Sequence, residues 1–175
     1  MNNLGLVHVY TGNGRGKTSI SLGTSLRAIG WDKKVCMIQF IKGYSKIGEA
    51  FFAEKNPNFT FIQMEETNVL NVTLTSVENA KKSSEMAIKK AKEIIMSNEY
   101  DLVVLDEING AIHYNLVDLE EVKKLILEKP DKLELILTGR NAHPEIIDLA
   151  DYVTELKMIK HPYERKILAR KGIDF

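Results

Sequence analysis

The sequence predicts an α/β fold in three layers, with helices on both faces of a mostly parallel sheet of about six strands. Three observations support this class. Short apolar runs alternate with helical patterns along the chain, which is typical of repeated β–α units with right-handed crossovers. The run at residues 102–105 shows no polar alternation, as expected of a parallel strand covered on both faces. A glycine-rich turn separates the first strand from the first helix. We expect residues 1–175 to form one domain.

The strands are predicted from apolar and β-branched runs. They cover residues 4–10, 35–40, 59–64, 102–105, 133–137 and 152–158. Helical periodicity and end signals predict the helices. These cover residues 18–29, a long segment after Thr75 that opens on a capping box at 75–78, a segment from Asp118 to Pro130, and residues 144–150.

One residue and one segment between these elements allow further predictions. Gly30 is predicted to adopt the left-handed conformation that often follows a helix. Residues 65–74 show no clear pattern, and a long irregular segment in a compact chain is typical of a binding loop or lid.

Composition narrows the function classes. Lys plus Arg equals Asp plus Glu, at 24 each, which argues against a protein held to nucleic acid by bulk charge. The single cysteine, Cys36, excludes an internal disulfide and a cysteine-based metal cluster. No signal peptide and no apolar segment of roughly 20 residues is present, so we expect a cytoplasmic protein without membrane or nucleic-acid partners.

Residues 12–18, Gly-Asn-Gly-Arg-Gly-Lys-Thr, predict a phosphate-binding loop although Thr11 stands where the strict pattern has its first glycine. The loop follows an apolar strand and opens a helix, so its amides and the helix dipole would point at an anion. Lys17 and Arg15 would add charge at the phosphates, and the Thr18 hydroxyl is positioned to ligate magnesium. The loop and the strand pattern together predict the three-layer P-loop NTPase (RecA-like) fold.

The second half of the nucleotide site is predicted at Asp106 and Glu107, which follow the buried run at 102–105. Carboxylates at this position emerge at the carboxyl edge of the sheet, where α/β proteins bind ligands. One of them should hold magnesium, directly or through water. The other is either structural or, in a hydrolase, positions water.

The loop at 10–18, with its leading threonine, resembles that of the P-loop ATP:corrinoid adenosyltransferases, a family that also carries Thr at this position. The resemblance covers nearly the whole chain. It continues in the motifs at residues 26–30, 38–43, 48–49, 103–107, 137–140, 149–151, 160–162 and 170–174.

The resemblance implies that a corrinoid reduced to Co(I), either cob(I)alamin or cobyrinic acid a,c-diamide, attacks the 5′ carbon of ATP and releases triphosphate. This reaction serves adenosylcobalamin synthesis or salvage. In the family the triphosphate lies in the opposite sense from other P-loop enzymes, which turns the 5′ carbon toward the corrinoid. A general base is unnecessary because Co(I) has no proton to lose. The resemblance also implies magnesium or manganese, a flavoprotein reductase that supplies Co(I), and a homodimer.

By the same resemblance, Lys17, Thr18 and Glu107 are the catalytic residues. Thr18 and Glu107 are the expected metal ligands, with Asp106 as the alternative carboxylate. Arg27 is either a nucleotide contact or a helix-surface residue, and Arg140 is a candidate contact for phosphate or corrinoid. The triphosphate contacts implied by the resemblance are Gly12, Asn13, Gly14, Arg15, Gly16, Lys17, Thr18 and Ser19.

Characterised relatives carry aromatic side chains after the third strand that help keep the corrinoid four-coordinate. Residues 65–74 contain no aromatic, which leaves Val69, Leu70 or Leu74 as candidates for an apolar wall. Two other functions stay open from the residues alone. One is a RecA-like ATPase in which Glu107 activates water, and the other is a non-catalytic ATP-binding regulatory subunit.

Overall fold

A computed structural model of the protein describes residues 4–41, 47–63 and 74–175. The described chain forms a six-stranded sheet in the order β3-β2-β4-β5-β1-β6, and every strand pair is parallel. The strands are β1 (Val7–Thr11), β2 (Val35–Gln39), β3 (Phe59–Gln63), β4 (Leu102–Asp106), β5 (Glu134–Thr138) and β6 (Tyr152–Glu155). This confirms the predicted fold class.

The helices that connect these strands cover both faces of the sheet. They are α1 (Lys17–Ile29), α2 (Gly48–Ala53), α3 (Leu74–Met96), α4 (Ile108–His113), α5 (Leu119–Glu128) and α6 (Pro144–Asp148), followed by a 3₁₀ turn at Pro162–Arg165. Successive side chains of a strand point to opposite faces, so each strand feeds two cores. In β4, Val103 and Leu105 pack with α3 and α5, whereas Leu102 and Val104 pack with α1.

The strand order fixes the location of the polar strand ends. β5 lies between β1, which leads into the glycine-rich loop, and β4, which ends at Asp106. In register, Gln39 pairs with Asp106, and Tyr10 pairs with Thr138. Because all strands are parallel, these carboxyl ends meet at the same edge of the sheet.

Most predicted elements are present with boundaries shifted by a few residues. Asp118 caps α5 by accepting a hydrogen bond from the Glu120 amide at 2.9 Å. The expectation for Gly30 was wrong: its φ is −61°, and the left-handed residue is Asp32, with φ 56°. The helix ends in a tighter turn, in which the Asp32 amide bonds to the Ile29 carbonyl at 2.9 Å.

Some expectations fall outside the described residues. These include the binding loop or lid at 65–74, apart from the start of α3 at Leu74, and the side chains of residues 75–77 in the capping box. Within the described ranges, no helix is long and apolar enough to cross a bilayer.

Candidate active site

The glycine-rich loop is shaped by close contact with the segment that follows β6. Gly12 and Gly16 have φ of 95° and 118°, a region that favours glycine. A Cβ atom on Gly12 would lie 2.5 Å from the Leu156 carbonyl oxygen, and one on Gly14 would lie 2.8 Å from it. The Gly14 amide donates to that oxygen at 2.7 Å. The glycines therefore allow the loop to sit directly on the backbone of its neighbour.

The start of α1 is open to an anion. Among the described residues no side chain caps this helix, and its first turn contains no acidic residue. The first amides of a helix lack intrahelical partners and carry the positive end of the dipole. At the other end of the loop, the Thr11 hydroxyl accepts a hydrogen bond from the Ala142 amide at 3.1 Å. The residue that replaces the usual first glycine thus ties the loop to the segment after β5.

Lys17 lies inside the loop with 7% of its surface exposed. Its Nζ atom donates to the Gly12 carbonyl at 2.8 Å and to the Gly14 carbonyl at 3.0 Å. Burial lowers the pKa of Lys17 and outweighs the opposing effect of Glu107. The ammonium group is therefore desolvated and held at the loop, where an anionic ligand would interact with it strongly.

Asp106 is the centre of a buried hydrogen-bond network. Its Oδ1 atom accepts from the Thr18 hydroxyl at 3.0 Å and from the Thr138 hydroxyl at 2.7 Å. Its Oδ2 atom accepts from the Gln39 amide group at 3.1 Å. Burial raises the pKa of Asp106, and the hydrogen bonds from Thr138, Gln39 and Thr18 oppose that rise. This carboxylate joins the ends of β2, β4 and β5 to the first turn of α1.

Glu107 has a left-handed backbone, with φ 61°, which is uncommon outside glycine and concentrates at functional sites. Its amide donates to the Thr138 hydroxyl oxygen at 2.9 Å, which fixes the turn between β4 and α4. Burial raises the pKa of its side chain, and the neighbouring Asp106 adds to the effect. Its side chain lines the same cleft as Thr18.

The cleft that begins at this acidic end has a volume of about 1040 Å³. Thr18, Asp106 and Glu107 form its polar end. Apolar side chains of α1 and α2 line another part, among them Leu22, Leu26 and Phe52. Residues 172–175, the last of the sequence, form a further part of the wall. A cleft of this size and mixed polarity suits a nucleotide-sized ligand.

The predicted basic and loop residues occupy different surroundings. Arg140 is exposed at the end of β5, close enough to Lys17 and Glu107 to influence the pKa of both. Arg27 is exposed on α1 and does not line the cleft. Asn13 and Ser19 are exposed, and Ser19 lines the cleft beside Thr18. The Arg15 side chain contacts residues 173–174.

Sequence reasoning gave no role to Gln39, Thr138 or the 172–175 wall. The sequence could have indicated a role for Gln39 and Thr138 through their positions at strand ends, because such side chains meet at the edge of a parallel sheet. Within the described ranges, no group of three or more His, Cys, Asp or Glu side chains is arranged to hold a metal ion. The oxygen atoms near the loop that are of the kind a metal ion binds belong to the carboxylates of Asp106 and Glu107 and to the Thr18 hydroxyl.

The fold and this loop define a P-loop nucleotide-binding protein. A model of the family "ATP:corrinoid adenosyltransferase BtuR/CobO/CobP" matches residues 3–175. The chain therefore belongs to the ATP:corrinoid adenosyltransferases, a family of transferases that adenosylate corrinoids with ATP.

Individual relatives agree with this assignment. The corrinoid adenosyltransferase of Escherichia coli K12 is 36% identical over 171 residues, which cover 98% of this chain and 86% of the relative. The corrinoid adenosyltransferase CobA of Salmonella typhimurium is 37% identical, with the same coverage of both chains. A corrinoid adenosyltransferase of Sinorhizobium is also 37% identical, and the match covers 98% of this chain and 80% of the relative.

Proposed function

We propose that this chain transfers the 5′-deoxyadenosyl group of ATP to the Co(I) centre of a corrinoid and releases triphosphate. Family membership over residues 3–175 supports the reaction class. The observation that carries the residue assignments is that Thr18, Asp106 and Glu107 line one end of a single cleft, with Lys17 close enough to both carboxylates to feel their charge. The remainder of that cleft offers room for the nucleoside part of ATP.

In this reaction the Co(I) electron pair forms the cobalt–carbon bond as the bond between the 5′ carbon and its oxygen breaks. The electrons of the broken bond leave with the triphosphate, and cobalt becomes formally Co(III). Stabilisation of negative charge on the leaving triphosphate is therefore the main contribution required of the protein. Lys17, the amides at the open start of α1 and the loop amides other than that of Gly14, which bonds the Leu156 carbonyl, are suited to this role, and Arg140 stands close by.

The carboxylate and hydroxyl oxygens at the polar end of the cleft fit magnesium or manganese, both of which prefer carboxylate, hydroxyl and phosphate oxygens as ligands. We assign the direct contacts to Thr18 and Glu107. Asp106 already accepts three hydrogen bonds from protein groups, so it would orient Thr18. A metal bound here would neutralise charge on the triphosphate.

The partners follow from the family resemblance. We infer a homodimer in the cytoplasm, with a flavoprotein reductase that supplies Co(I). Light scattering on the purified protein tests the first point. A mass near 19.8 kDa, the mass of one chain, would contradict the dimer.

An anaerobic assay with ATP, magnesium and chemically reduced cob(I)alamin tests the reaction. We expect the adenosylcobalamin spectrum to appear together with inorganic triphosphate in equal amounts. Release of orthophosphate without any corrinoid would instead support the ATPase. Tight ATP binding without either product, with cob(I)alamin and with cobyrinic acid a,c-diamide, would support a regulatory subunit.

A further inference from the structure

The end of the sequence folds into a turn of its own, here called the 170–175 turn. The amides of Ile173 and Asp174 donate to the Arg170 carbonyl at 3.2 and 2.8 Å. The Gly172 amide donates to the Phe175 carbonyl at 2.8 Å, with Gly172 at φ 75°. The Asp174 carboxylate closes the turn by accepting from the Arg170 amide at 2.9 Å and from its Nε atom at 3.0 Å.

Arg15, in the middle of the phosphate-binding loop, anchors this turn. Its guanidinium donates to the Ile173 carbonyl at 2.6 Å and pairs with the Asp174 carboxylate at 2.9 Å. Asp174 thus bridges two arginines, and Arg15 has its Nη2 group engaged with the turn. The contact joins segments that lie more than 150 residues apart in the chain.

The turn also borders the substrate cleft. Gly172, Ile173, Asp174 and Phe175 line it together with Thr18 and Ser19, the residues at the start of α1. Ile173 and Phe175 are apolar, and so are Leu22 and Leu26 of α1, which line the same cleft. Apolar walls next to a phosphate site are suited to a nucleoside rather than to more phosphate.

We infer that the 170–175 turn forms a wall for the adenosine end of ATP, and that Arg15 is a positioning residue that holds this wall through Asp174. The Arg15 side chain therefore shapes the nucleoside end of the site, whereas the Arg15 backbone amide keeps its predicted role as a triphosphate contact. The inference rests on the proposed function in taking ATP, with its triphosphate at the loop, as the ligand of this cleft.

The test compares binding of ATP and of inorganic triphosphate by calorimetry, without corrinoid. The variants are Arg15→Gln, Asp174→Asn and the double variant. We expect the Kd of ATP to rise about two- to fivefold in each single variant, the upper part of the range for a partly exposed ion pair. The double variant should show a rise smaller than the two single rises combined, because both changes remove the Arg15–Asp174 pair while each also removes one contact of its own. The Kd of triphosphate should stay within about twofold throughout.

Two further variants separate positioning from other effects. Arg15→Lys keeps the charge and should restore most of the ATP affinity. Arg165→Gln removes an exposed arginine of the nearby 3₁₀ turn and should change neither Kd. In turnover, Arg15→Gln and Asp174→Asn should raise the KM for ATP and leave kcat unchanged.

Several results would overturn the inference. A tenfold weaker triphosphate complex in Arg15→Gln alone would make Arg15 a phosphate ligand. An unchanged ATP affinity in both single variants would show that the 170–175 turn is not a wall for adenosine. Additive losses of ATP affinity in the double variant would show the same. Failure of the wild-type protein to adenosylate any corrinoid would refute the proposed function and leave these binding measurements valid.

Discussion

The two walls of the cleft are built in contrasting ways. At the phosphate end, Lys17, Asp106 and Thr138 are at most 7% exposed, and each is fixed by protein hydrogen bonds before any substrate binds. In the 170–175 turn, Ile173 is 60% exposed, and an ion-pair network anchored at Arg15 connects the turn to the loop. One wall is rigid by burial, and the other is largely exposed and is connected to the loop through Arg15.

This difference fits the demands of the reaction. Groups that stabilise developing charge are most effective when they need no rearrangement, which requires a buried and fully bonded frame. A wall that admits and releases large substrates must open at low cost, and such segments come from the least stable part of a fold.

Lys17→Ala should lower kcat/KM for adenosyl transfer by about 10²–10³-fold, because it removes a preorganised charge from the leaving group. Steady-state kinetics under anaerobic conditions provide the measurement. Lys124→Ala, on the exposed face of α5, is the control and should behave as wild type. Near-normal turnover of Lys17→Ala would mean that the rigid wall does not stabilise the triphosphate.

Glu107→Gln should raise the magnesium concentration needed for half-maximal rate by about tenfold, since an amide is a poorer ligand than a carboxylate. Titration of the rate with magnesium measures this, and Glu121→Gln on the surface of α5 serves as the control. If Glu107→Gln keeps the wild-type requirement while Asp106→Asn raises it, Asp106 is the metal ligand.

Hydrogen exchange should separate the two walls in the unmodified protein. Amides of β4 and β5 should exchange only on global unfolding, because these strands are central and buried. Amides at 157–175 should exchange faster by about two orders of magnitude or more, since most of these residues are exposed. Equal protection of both regions would contradict the difference in stability between the two walls.

The sequence was sufficient to predict the sheet. Each strand is a short apolar run, and burial on both faces leaves a pattern that can be read without coordinates, as at 102–105. The loop and the Asp106–Glu107 pair were also predicted, because a phosphate site needs glycine, lysine and a strand-end acid in fixed places. Their individual roles as ligands remain predictions.

The elements that were missed have physical reasons. α2 and α4 are each six residues long, too short for a period of 3.6 to become visible. The roles of Gln39 and Thr138 depend on strand order, since β5 and β2 become neighbours of Asp106 only in the folded sheet. The contact between Arg15 and Asp174 joins distant segments, and no local pattern encodes it.

The contact between the loop and Leu156 bears on how this protein can be engineered. An alanine at Gly12 or Gly14 would collide with the main chain that follows β6 before it met any ligand. The defect of such a variant would have two causes at once, the displacement of the edge strand β6 and the loss of an anion site. Anyone redesigning the loop to accept another nucleotide must therefore treat residues 12–16 and 155–157 as one unit, varied together.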